Sequence, residues 1–148
     1  MQAQKYTLAA KGKAMKTLPI VWQRLVSAGG RTCVRCGGTQ QELLRAVSKL
    51  KEALKPLGIE ATFETREIDE ASFKANPSES NRIWIAGQPM ETWLGAGIGT
   101  SRCCSVCGES ECRTVKVGDS VYETVPEKLI LQAALAAASR LLDPTFEP

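Results

Sequence analysis

Histidine is absent from the chain of 148 residues. That gap removes Ser-His-Asp and Cys-His catalysis in their usual form, along with histidine-ligated zinc. Any site must be built from thiols, carboxylates, Lys, Arg and backbone. Long apolar runs are missing too: the longest, Leu129 to Ala138, is broken by Gln132 and falls short of the roughly 18 residues that span a bilayer. No membrane partner is expected. Charge of one sign is scarce, with a net charge of +3 spread along the chain rather than gathered on one face, so no nucleic-acid partner is expected. The amino-terminal stretch lacks the apolar core and cleavage site of a secretory signal. The expected compartment is therefore the cytoplasm, where clustered cysteines serve metals or redox chemistry rather than static disulfides.

What remains is an ordinary globular composition, 43% hydrophobic and 24% charged, at a length suited to one core. Residues 1–14 read as a loose basic extension, residues 15–142 as one domain and residues 143–148 as a tail, with Met15 a sensible beginning to the folded part. Leu18 to Leu25, with β-branched and aromatic residues, predicts a first strand. Thr39-Gln40-Gln41-Glu42 has the form of a capping box and sets the start of a helix whose apolar stripe is Leu43, Val47, Leu50, Leu54 and Leu57. That places Cys33 and Cys36 in a loop ahead of the helix. Strict alternation from Ile59 to Glu64 predicts a half-exposed strand. Asp69 caps a short turn ended by Asn76-Pro77, and Arg82 to Ala86 forms a strand that turns at Gly87 and returns through Pro89 towards Leu94.

Residues 95–113 carry four cysteines without periodicity and read as a loop, Gly95 to Gly99 being a flexible approach without the spacing of a phosphate loop. A hairpin over Thr114 to Val125 and a last helix from Pro126 to about Leu142 follow. That helix is apolar nearly all round, which suits either burial within the domain or a homodimer through its free face. Trp22 and Trp84 are expected in the core, Trp93 beside the site, and the Glu64, Glu67, Asp69 and Glu70 carboxylates on a solvated surface.

The runs Thr32-Cys33-Val34-Arg35-Cys36-Gly37-Gly38-Thr39, Glu79-Ser80-Asn81-Arg82-Ile83-Trp84-Ile85 and Cys103-Cys104-Ser105-Val106-Cys107-Gly108 resemble an uncharacterised bacterial thioredoxin-like family. The resemblance covers about residues 15–142. It implies an α/β fold: a thioredoxin-like mixed sheet flanked by helices, with a cysteine-rich loop and an extra hairpin before the last helix. It also implies thiol-disulfide chemistry, in which Cys33 attacks and Cys36 resolves the mixed disulfide. Arg31 and Arg35 would add positive charge beside the pair. Asn81 stands where thioredoxins carry a cis proline.

A metal reading competes. Cys33 to Gly37 and Cys104 to Gly108 both have the CxxCG form of a zinc knuckle, and Cys103, Cys104, Cys107 and Cys112 place four thiolates within ten residues. Four such sulfurs, or three with an outside ligand, suit tetrahedral zinc at about 2.3 Å. Arsenite, mercury and copper(I) favour the same thiolates. The expected partner is thus a thiol or disulfide substrate, or a soft metal ion.

Overall fold

The computed structural model describes residues 15–26, 34–102 and 111–143. The chain runs β1 (Lys16–Leu25), α1 (Val34–Leu54), a short 3-10 turn (Lys55–Leu57), β2 (Ile59–Ile68), α2 (Glu70–Ala75), a second turn (Pro77–Glu79), β3 (Arg82–Ile85), β4 (Gln88–Pro89), α3 (Met90–Leu94), β5 (Gly97–Arg102), β6 (Glu111–Val117), β7 (Ser120–Tyr122) and α4 (Glu127–Leu142).

β1 is the centre of a four-stranded mixed sheet ordered β2-β1-β3-β4. It pairs parallel with β2 from Lys16↔Ile59 to Leu25↔Ile68, and antiparallel with β3 from Ile20↔Ile85 to Gln23↔Arg82. A parallel pair needs a crossover, which α1 supplies. The alternation along β1 puts Leu18, Ile20 and Trp22 on one buried face, joined there by Ile59, Ala61, Ile83 and Ile85. Two helices complete that core. α1 contributes Leu43, Ala46, Val47, Leu50 and Leu54, and α4 contributes Leu129, Ile130, Ala133, Ala134, Ala137 and Ala138. The expected mixed α/β fold, a sheet flanked by helices and closed by a last helix, is the fold observed. The small residues of α4 let it lie close, while Leu135 and Leu142 stay exposed. No helix among the described residues is long and apolar enough to cross a membrane.

Four expectations are corrected. α1 is already formed at Val34, ahead of Thr39. The return after Gly87 is only two residues of strand before Met90 turns into α3, because Pro89 suits a helix entry and Gly95, at φ 62°, closes the helix left-handed. Residues 97–102 and 111–113, read as loop, belong to paired strands of a second sheet ordered β5-β6-β7, whose β6–β7 hairpin was expected. Trp84 is half-buried, on the face opposite Trp22, with the Arg82 guanidinium 4.6 Å and the Arg66 guanidinium 5.8 Å from its ring centre.

Candidate functional site

α1 already includes Val34, so Cys36 lies within the helix rather than in a loop ahead of Thr39. Cys36 is 3% exposed. Its Sγ lies 3.6 Å from Ser80 Oγ, and the Leu25 N–H at the end of β1 donates to that same oxygen at 3.1 Å. The end of the central strand, the helix start and the chain entering β3 therefore meet at one hydroxyl. Asn81 follows with a left-handed φ of 60°. Its Oδ1 accepts from Trp22 Nε1 at 3.0 Å, and its Nδ2 donates to the Glu123 carbonyl at 3.4 Å. Cys33 lies outside the described residues.

Arg35 joins this corner to the second sheet. Its side chain is nearly buried; Nη1 donates to the Ser101 carbonyl at 3.4 Å, Nη2 donates to the Arg102 carbonyl, and Nη2 pairs with Glu123 Oε1 at 3.2 Å. Ser101 Oγ donates to the same carboxylate oxygen at 3.1 Å. The Arg35 charge expected to act on the cysteine pair is thus engaged by Glu123 and two carbonyls, and Arg31 lies outside the described residues. Ser101 faces Cys112 across the β5–β6 ladder, and Arg102 faces Glu111. Cys112 is buried and disulfide-bonded.

The structure therefore brings Cys36 and the ladder that carries Cys112 to one corner, through Arg35. Cys103, Cys104 and Cys107 lie outside the described residues, Cys103 following Arg102 in sequence. Among the described residues no three Cys, Asp or Glu side chains converge as metal ligands. Trp93 is turned elsewhere, donating Nε1 to the Ile85 carbonyl at 2.7 Å. Glu64, Glu67, Asp69 and Glu70 are exposed. Asp69 is held below the usual carboxylate range by the Ser72 backbone N–H, which it accepts at 2.7 Å as the cap of α2. A cavity of about 280 Å³ lined by Met15, Lys51, Lys55, Ile59, Glu60 and Ala61 sits by the far end of α1 and holds no thiol.

Sequence reasoning missed Ser80, Ser101 and Glu123. Ser80 lies in one of the motif runs but carries no local signal, and the other two enter through tertiary contacts far apart in sequence, such as Arg35 to Ser101, 66 residues apart.

A domain of unknown function (DUF2703) matches residues 18–134. The chain is also similar to an uncharacterized protein of Archaeoglobus fulgidus, 44% identical over 113 residues, covering 76% of this chain and 82% of the relative. That relative is archaeal, where the resemblance read from the motifs was to a bacterial family. No solved structure matches the chain.

Proposed function

The chain belongs to the DUF2703 family, and from that premise we propose that it is a thiol protein in which Cys33 and Cys36 cycle between dithiol and disulfide. The observation that carries the reading is the place of Cys36: buried, inside the helix that follows the central strand, with its Sγ 3.6 Å from Ser80 Oγ. A thiol there is sheltered from solvent and stands three residues along the sequence from Cys33. In the forward direction the Cys33 thiolate attacks one sulfur of a substrate disulfide and forms a mixed disulfide. The displaced substrate sulfur leaves as a thiolate and takes a proton. Cys36, deprotonated, then attacks Cys33 Sγ, the Cys33–substrate bond breaks, and the second substrate sulfur leaves. Two electrons pass to the substrate, and the Cys33–Cys36 bond remains. A reducing compartment such as the cytoplasm would regenerate the dithiol.

The test is turnover of a disulfide substrate with a dithiol reductant. Cys33→Ser abolishes turnover, whereas Cys36→Ser traps mixed disulfides on Cys33 that gel electrophoresis without reductant resolves. Equal activity of both variants overturns the reading.

A second reading, a thiolate site for zinc or a softer metal ion at Cys103, Cys104, Cys107 and Cys112, has one observation in its favour. The β5–β6 ladder runs as far as Arg102↔Glu111, so the residues flanking Cys103, Cys104 and Cys107 are paired, and Cys112 lies on one of the two strands. Protein reduced without oxygen should then take up one zinc ion in native mass spectra, with four thiols protected from alkylation. No uptake at micromolar zinc removes this reading.

A further inference from the structure

Ser80 is 1% exposed, so its hydroxyl is cut off from bulk solvent. Its Oγ already accepts the Leu25 N–H at 3.1 Å, and its backbone N–H donates to the Pro77 carbonyl at 3.2 Å. The hydroxyl proton needs an acceptor. Among the described residues the group in reach is Cys36 Sγ at 3.6 Å, within the range of bonds to sulfur. Were the thiol the donor instead, the weaker donor of the two would be used and a buried O–H would be left unpaired. We infer that Ser80 donates to Cys36 Sγ and is a positioning residue that sets the redox balance of the cysteine pair. The inference rests on the redox reading above and deepens it.

The physical basis is a difference between two states of one sulfur. A thiol or thiolate sulfur accepts a hydrogen bond better than a sulfur bonded to another sulfur. The Ser80 hydroxyl therefore favours the dithiol, and its loss shifts the pair towards the disulfide. The reaction read is protein dithiol plus glutathione disulfide giving protein disulfide plus two molecules of glutathione, balanced in atoms and electrons. Without the donor, its equilibrium constant should rise about fivefold, the worth of one ordinary hydrogen bond.

Ser80→Thr and Ser80→Val make the informative pair, since they share shape and differ by the hydroxyl. Loss of the Leu25 bond weakens the fold of both redox states alike and leaves the constant unmoved, which separates positioning from structure. Each full-length variant is equilibrated in glutathione buffers of graded ratio, alkylated and digested with trypsin. Arg35 lies between the two cysteines, so a Cys33–Cys36 bond appears as two joined peptides. The expected result is a constant near wild type for Ser80→Thr and about fivefold higher for Ser80→Val. Ser80→Ala, which adds no volume, should match Ser80→Val and stands in for it if the larger side chain prevents folding. Equal constants for the hydroxyl-bearing and hydroxyl-free variants overturn the assignment alone. Failure of wild-type protein to form the linkage in any buffer overturns the redox reading, and the assignment with it.

Discussion

At the scale of single residues, the sharpest commitment away from the cysteines is an ion pair. Arg113, on β6, meets Glu91, on α3, at 2.9 Å with both side chains nearly out of solvent, and its Nη1 donates to the Ser78 carbonyl at 2.9 Å. Glu91 Oε2 and Arg113 Nε have no hydrogen-bond partner among the described residues. Desolvating two charges costs more than an incompletely bonded pair returns, but removing one partner is worse, because it strands the other in a poorly polarisable place. Glu91→Gln should therefore lower stability by about 3 kcal/mol in urea unfolding, whereas Glu91→Leu with Arg113→Met should recover most of that loss. If the double variant is as unstable as the single one, the pair is not the source of the cost. Nothing in the sequence ties residue 91 to residue 113; a pairing across two elements is written in the tertiary packing and leaves no periodic trace.

At the scale of elements, the run Thr39-Gln40-Gln41-Glu42 shows how a correct local signal can serve a different element. Both side chains do satisfy amides at a helix entry, but the helix is α4. Thr39 Oγ1 accepts the Val125 N–H at 3.1 Å, and Glu42 Oε1 accepts the Glu127 N–H at 3.2 Å. Val125 is buried, so Thr39→Val leaves its amide unsatisfied and should cost about 1–3 kcal/mol, while Thr39→Ser keeps the acceptor and most of the stability. Urea titrations of the two variants decide it. The α2 cap was legible outright, since Asp69 works within three residues of its partner. Its lowered pKa favours the charged form in the folded chain. The cap's contribution is therefore present above the unfolded value and is lost as pH falls through the folded one. Amide exchange of α2 should quicken at acid pH in wild type, and Asp69→Ala should remove that dependence. β5 was illegible for a steric reason. Gly97 and Gly99 depress strand propensity, yet a Cβ at Gly99 would stand 3.1 Å from Thr114 Oγ1, its neighbour across the ladder.

At the scale of the molecule, the four-stranded sheet could be read from sequence because its strands alternate and its crossover helix has one apolar stripe. The relation of the second sheet to it could not, because its links, Arg35 to the Ser101 and Arg102 carbonyls and Glu123, Asn81 to the Glu123 carbonyl and Arg113 to Glu91 and the Ser78 carbonyl, join residues distant in sequence, which no periodic pattern encodes. Arg35 holds the Ser101 and Arg102 carbonyls and the Glu123 carboxylate with one planar group, so it ties the start of α1 to both outer strands' ends. A lysine could keep the pairing with Glu123 but could not reach both carbonyls in a fork. Arg35→Ala should speed amide exchange across residues 97–102 by about tenfold, the equivalent of one charge-assisted hydrogen bond, and leave the core amides of β1 unchanged. Arg35→Lys should fall between the two. The comparison matters for function, because this strand leads in sequence to Cys103: if exchange in β5 is indifferent to Arg35, β5 is held to the Cys36 corner by something other than this side chain. If β1 quickens as well, the residue supports the whole fold rather than joining its two sheets.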